Sequence, residues 1–268
     1  MLAALAVNTE KDNQMHNVFG ERWMGLKKPA WHDISKGIWT EPVSAPVAVV
    51  QCDADYEVVL AEATATFERD GETITVPVTG SRTVLREPVE GDMQWRDLGT
   101  VGKNFGLIQN TQICAAIDKA VPDLPVESIG VLGKGETFFV CLRTAPMDIL
   151  GDEVRNYFLI VDGKAGNQKL SVVHTPIRTE CENTLMMGLD AALMSVDVRH
   201  TGDIESELEF TVDLMALMER SQVRIKENFE LLAKTKITAD DVATIAAAAF
   251  PLPNVPRKVQ LINSIPAD

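Results

Sequence analysis

Between residues 47 and 86 apolar and polar positions alternate in short runs that read as strands. Tyr56 to Phe67 is rich in β-branched residues, and Thr73 to Val78 alternates again after Asp70-Gly71. An Asp-Gly between two such runs predicts a hairpin, because both turn residues tolerate positive φ. Arg82 to Arg86 extends the same sheet. Residues 127–144 predict two more strands around Gly133-Lys134-Gly135, the second continuous and apolar as a central strand would be. Val154 to Val161 is another apolar run, ended by Asp162-Gly163, and Lys169 to His174 returns beside it. The period turns helical elsewhere. Asn110 is placed to cap a helix over 111–121, Asn183 one running to about Val196, and Thr238 one through Ala249. Residues 204–234 carry a long amphipathic pattern through Leu208, Val212, Met215, Met218, Ile225, Phe229 and Leu232.

Residues 1–45 are punctuated by Gly20, Gly25, Pro29, Gly37 and Pro42, so no long element is expected there. Trp23, Trp31 and Trp39 fall in this arm and predict its anchoring on a core or a neighbouring subunit. Strands first and helices last give an α+β fold: an antiparallel, hairpin-rich sheet in the first two thirds, packed by C-terminal helices. The expected organisation is a loop-rich arm (1–45), a single α+β domain (46–250) and an extended tail (251–268).

The net charge of −14 works against binding to bulk nucleic acid or an anionic membrane, so a DNA-binding role needs a local basic surface. Cys52, Cys114, Cys141 and Cys181 are widely spaced and form no CxxC, which speaks against a zinc ribbon and a disulfide framework. No run approaches the roughly eighteen apolar residues of a membrane span. A cytoplasmic protein without metal or cofactor is expected.

Polar chemistry is densest in His174-Thr-Pro-Ile-Arg-Thr-Glu-Cys-Glu-Asn-Thr-Leu185, at the change from strand to helix. Cys181 with His174 or His200 is one candidate nucleophile pair, since a helix start lowers a thiol pKa. Arg178 sits beside Glu180 and Glu182, and either stiffens the junction through those carboxylates or reaches a phosphate. Arg199-His200-Thr201 carries the same two readings. Lys27 and Lys28, interleaved with the arm tryptophans, suit single-stranded nucleic acid. Gly99, Gly102 and Gly106 mark a tight loop; their spacing is neither that of a dinucleotide fold nor that of a Walker loop.

Pro29 to Ile38, Arg96 to Asn110, Asp162-Gly163, Ile177 to Leu185 and Val198 to Thr201, in this order, resemble the phage- and plasmid-associated proteins grouped as domain of unknown function 932. Phe105 stands where that family often has tyrosine. The resemblance implies a mobile-element origin and a setting among replication and recombination functions. It thereby implies a non-enzymatic, homo-oligomeric annealing protein that holds single-stranded DNA through Arg178, Arg199, His200, Lys27 and Lys28, with Phe105 or a tryptophan stacking on bases. Two other classes stay open: an acidic partner-binding or DNA-mimic protein acting on a host factor, and a cysteine-dependent small-molecule enzyme.

Overall fold

The computed structural model describes residues 17–30, 36–166, 168–198, 200 and 226–249. The chain divides into two compact units, one ending at Lys226 and the other beginning at Glu227. The first unit is built on a seven-stranded sheet whose order is β12 (Met194–Val198), β11 (Leu170–Thr175), β10 (Tyr157–Gly163), β7 (Thr137–Arg143), β6 (Val126–Leu132), β1 (Val18–Leu26) and β2 (Gly37–Trp39). Its centre is β6, β7, β10 and β11, all antiparallel. These are the continuous apolar runs of the sequence, and they are continuous because both faces of the sheet are covered.

Alternation sorts the two faces. Phe138, Val140, Phe158, Ile160 and Val172 join the larger core cluster with Val49 and Ile113. Those two residues lie on α1 (Ala45–Gln51) and α2 (Asn110–Ala120). Phe139, Leu159, Val161 and Val173 point the other way, into a smaller cluster with Trp23, Cys181 and Leu185. Leu185 belongs to α3 (Glu182–Asp190). A second sheet, β3 (Val58–Arg69), β4 (Glu72–Arg86) and β5 (Arg96–Gly102), adds Val58, Val84, Leu98 and Val101 to the larger cluster. A short hairpin, β8 (Met147–Ile149) with β9 (Asp152–Val154), completes the unit. The fold is α+β.

The predicted turns are present. Asp70 and Gly71 join β3 to β4 with φ of 53° and 81°, and Gly133 and Gly135 take φ of 70° and 116° between β6 and β7. Four local readings are corrected. Val18–Leu26 in the arm is a nine-residue strand, β1, irregular at Gly20 and Glu21 but paired to β6; β2 (Gly37–Trp39) lies parallel to it. Residues 45–51 are helical despite three valines, since Pro46 presets the first turn and Ala45, Ala48 and Val49 bury one face. The cap of α2 is Gln109, in a reciprocal box with Gln112, instead of Asn110. Asn110 is buried and its amide donates to the Ala54 carbonyl. Cys181, not Asn183, begins α3, which stops at Asp190; Met194–Val198 then pairs with β11 as the edge strand β12.

In the second unit residues 227–234 are helical and Ala239–Ala249 forms a further helix. Thr238 caps the latter as expected: its hydroxyl accepts from the Asp241 amide at 3.2 Å, and Asp241 accepts from the Thr238 amide at 2.9 Å. Trp31, Arg199, residues 204–225 of the amphipathic pattern and the 251–268 tail lie outside the described residues. Among the described residues no helix is long and apolar enough to cross a membrane.

Candidate functional site

The stretch His174–Leu185 leaves the sheet at the end of β11 and turns into α3. Thr184 closes the turn: its hydroxyl accepts from the amides of Glu180 (2.7 Å) and Cys181 (2.9 Å). Arg178 is held on several sides. It pairs with Glu180, lies 2.9 Å from Glu127 on β6, donates to the Lys28 carbonyl at 2.9 Å and stacks on the Trp23 ring. Burial raises the Glu127 pKa, against the opposing pull of Arg178 and Arg143. The pairing with Glu180 was legible from neighbours in the chain; Glu127 and Trp23 were not. Arg178 was expected to offer a phosphate contact, but its guanidinium is largely buried among carboxylates and an indole. Gly25 makes room for it, since a Cβ there would lie 2.7 Å from an Arg178 nitrogen. Gly25→Ala is therefore expected to lower stability by about 1–3 kcal/mol through overpacking. A urea midpoint within about 0.3 M of the parent's would contradict this.

The expected Cys–His contacts are absent among the described residues. His174 points to the larger cluster and packs on Phe158 at 5.2 Å, whereas Cys181 joins the smaller cluster on the opposite face of the sheet. Neither His174 ring nitrogen has a hydrogen-bond partner among the described residues, and burial pushes its pKa down to about 4. The four thiols are free and buried. Burial pushes Cys52 and Cys141 up to about 12 and raises Cys114 as well.

His200 lies on the larger-cluster side. Its Nε2 is 2.9 Å from Asp162 Oδ1 and its Nδ1 is 3.1 Å from the Gly106 carbonyl. Phe105 stacks on the imidazole at 4.7 Å and 13°. Asp162 also pairs with Lys164, which donates to the Ile108 carbonyl at 2.6 Å; neither member of that pair is solvent-exposed. Burial alone would raise the Asp162 pKa, but Lys164 and His200 hold it below the usual carboxylate range. This group pins the glycine loop 99–108 onto β10. His200 and Phe105, expected at a DNA surface, face each other inside it. Lys27 and Lys28 are exposed, Lys28 offering its backbone to Arg178. Arg178 and the His200–Phe105 pair thus fall in two places on opposite faces of the sheet.

A third cluster was not anticipated. Asp92 receives Arg86 and Arg96 together. Arg86 is fully buried, stacks on Phe19 at 4.4 Å, and has Nε and Nη1 without a partner among the described residues. Arg22 covers Phe19 at 4.5 Å and donates to the Asp53 and Glu90 carbonyls. Phe19, Asp92, Arg96, Lys134, Glu136 and Glu182 line a cleft of about 730 Å³. Beside Arg96, Trp95 is 54% exposed and Met93 78%. Trp23 and Trp39 are buried as anchors, Trp39 donating to Gln51 at 2.5 Å. Trp95 is the one exposed tryptophan among the described residues. The only sequence signal for it was its distance from the three-tryptophan arm. Among the described residues no cluster of His, Cys, Asp and Glu could hold a metal.

The model of the family described as domain of unknown function (DUF932) matches residues 97–262, more than half of the chain. The chain belongs to the DUF932 family. No curated protein and no solved structure matches it. The DUF932 segment starts within β5 and contains the whole Phe105–Asp162–Lys164–His200 group, together with Arg178 and Cys181. The motifs that carried the resemblance therefore include the parts that build the core. In DUF932 terms the cleft is composite: Phe19, Asp92 and Arg96 precede the matched segment, while Lys134, Glu136 and Glu182 lie within it.

Proposed function

We propose that this protein is a non-enzymatic single-stranded-DNA-binding protein of annealing or recombination type, carried by a phage or plasmid and working as a homo-oligomer. The observation that carries the reading is Trp95, half-exposed and next in the chain to Arg96, which lines the cleft. An aromatic face accepts any base, and a neighbouring guanidinium accepts the phosphate. Lys134 adds a second cation on the cleft wall, and exposed Lys27 and Lys28 supply charge elsewhere on the surface. In this reading Arg178 and His200 shape the scaffold, and phosphate contact passes to Arg96 and Lys134.

The test is a titration of fluorescently labelled oligo(dT) at low and high salt. Binding at micromolar protein should weaken steeply with salt, because neutralised phosphates release counterions. Trp95→Ala should cost about 1–3 kcal/mol, roughly 5- to 150-fold in Kd. Lys134→Ala should reduce the salt slope by about one. Absence of salt-sensitive binding at tens of micromolar protein would end this reading.

A second reading is favoured by the charge of −14 and by Asp92, Glu136 and Glu182 in the same cleft. It is an acidic partner-binding protein that presents carboxylates to a basic host factor. Retention of a host protein by the immobilised chain after nuclease treatment, with no affinity for oligo(dT), would select it.

A further inference from the structure

We propose that β3 is a dimerisation edge, on which a second copy of this chain adds its own β3 antiparallel across a two-fold axis. This rests on the oligomeric part of the reading above and names its surface. Beyond Ser81 the β3–β4 hairpin leaves β5 behind and continues as a bare two-stranded ribbon. Such a ribbon is marginal in water unless further strands or a packed face support it. Its two faces differ sharply. Cross-strand pairs share a face, so Ala65–Val76 and Phe67–Ile74 make one side apolar, while Thr66–Thr75 and Glu68–Thr73 make the other polar. The polar side is closed by its own hydrogen bonds, Thr66 to Thr75 at 3.0 Å and Thr73 to Glu68 at 2.6 Å. The apolar side is open, with Phe67, Val76 and Val78 exposed.

The ribbon's two edges differ as well. The β4 edge is blunted by Pro77, which has no N–H, and by Gly80 at φ 91°. The β3 edge runs from Val58 to Arg69, with a register shift against β4 between Glu62 and Thr64, and ends its sheet among the described residues. Gln109 shows which way its amides point. The Gln109 side chain accepts from the Val58 N–H at 3.1 Å and donates to the Val58 carbonyl at 2.7 Å, as a neighbouring strand would. Counted back from the two-residue turn, where Arg69 and Glu72 form the hydrogen-bonded pair, Thr64, Thr66 and Glu68 present N–H and C=O on the outer side as well.

Charge narrows the register by excluding axes at Ala65, Thr66 and Glu68. A two-fold axis perpendicular to the sheet pairs residues of equal parity. An axis at Ala65 sets Glu62 against the partner's Glu68, one at Thr66 sets Glu62 against its Asp70, and one at Glu68 opposes two glutamates. With the axis at Phe67 no like charges meet. The two phenylalanines then face each other in a non-hydrogen-bonded pair, where side chains approach closest, and Thr66 bonds the backbone of the partner's Glu68. The apolar strip becomes continuous over both copies. The strip is smaller than the roughly 1,200 Å² of a standard interface, so the expected dimer is weak, with a Kd on the order of 10 μM or above.

Sedimentation of the whole chain from about 1 to 300 μM tests this. A monomer–dimer equilibrium is expected. Thr66→Pro should abolish it, because proline there removes the outward N–H; it also removes the Thr66–Thr75 hydroxyl contact but leaves the β3–β4 backbone ladder intact. Hydrogen exchange on the parent provides a readout that needs no variant: the Thr66 and Glu68 amides should slow as concentration rises. An oligomer of unchanged affinity in Thr66→Pro, with exchange at those amides independent of concentration, would overturn the edge and leave an oligomer built elsewhere. A monomer throughout the range would overturn both the edge and the oligomeric part of the reading. The oligo(dT) titration, run at a concentration where the chain is monomeric, reports on DNA binding separately.

Discussion

Asp162→Ala should destabilise the protein by about 3–5 kcal/mol, the largest single loss expected outside the apolar core. Removing the carboxylate leaves the Lys164 ammonium fully buried with the Ile108 carbonyl as its remaining partner. An uncompensated buried charge is penalised far more heavily than a missing pair. His200 loses its Asp162 contact in the same step, and the grip on the loop around Gly106 loosens. The double change Asp162→Leu with Lys164→Met removes both charges and should cost less than Asp162→Ala alone. Urea unfolding of the three proteins measures both effects. The Gly106 amide, which donates to the His200 carbonyl at 2.7 Å, should exchange faster in Asp162→Ala. If that variant lost under about 1 kcal/mol, or the double change cost as much as Asp162→Ala, the group would not be the coupled internal clamp described above.

The second large effect is acid sensitivity through His174. Its ring sits in the core without a hydrogen-bond partner among the described residues, and burial pushes its pKa down to about 4. Above pH 6.5 the imidazole is neutral in both the folded and the unfolded chain, so it contributes no pH dependence. As pH falls below 6.5 the unfolded chain takes up the proton and the folded chain resists it. Stability is lost through this window and levels off near pH 4, when both states are protonated. The difference between 6.5 and about 4 corresponds to about 3 kcal/mol. Glu127, whose pKa burial raises, contributes with the opposite sign. That contribution is common to parent and variant and cancels in their comparison. His174→Leu should flatten the decline in urea midpoint between pH 6.5 and 4 by this amount. An unchanged decline in the variant would place the titration on another group.

Both effects arise from side chains that looked like surface or catalytic chemistry along the chain. His174, Arg178, Cys181 and His200 fall close together in sequence among polar neighbours, which is also how an active site reads. The sheet separates them. Successive residues of β11 point to opposite faces, so His174 and the Cys181 that follows the turn enter different core clusters. Asp162, 38 positions before His200 by residue number, was legible only as the end of a strand. Its role as a counter-ion depends on Lys164 and His200 being brought to the same side of β10. Trp95 stood out weakly for a related reason: exposure is a property of the assembled surface and leaves no mark in local spacing.

The sequence by itself determined those features whose cause is local. Asp70-Gly71 and Gly133-Lys134-Gly135 specify their turns because glycine, and less readily aspartate, occupies positive φ. The unbroken apolar runs of β7 and β10 announce strands covered on both faces, and Thr238 with Asp241 caps its helix from four adjacent residues. The motifs from Arg96 to Thr201 were enough to indicate the family. Only the tertiary structure decided where β1 and β12 pair, which residue begins α3, and which carboxylate each buried cation meets. Residues 18–26 and 194–198 carry weak strand signals and become strands because β6 and β11 offer open edges. Arg178 meets Glu127, and Lys164 and His200 both meet Asp162, because burial makes an unpaired charge costly while packing decides which partner is within reach.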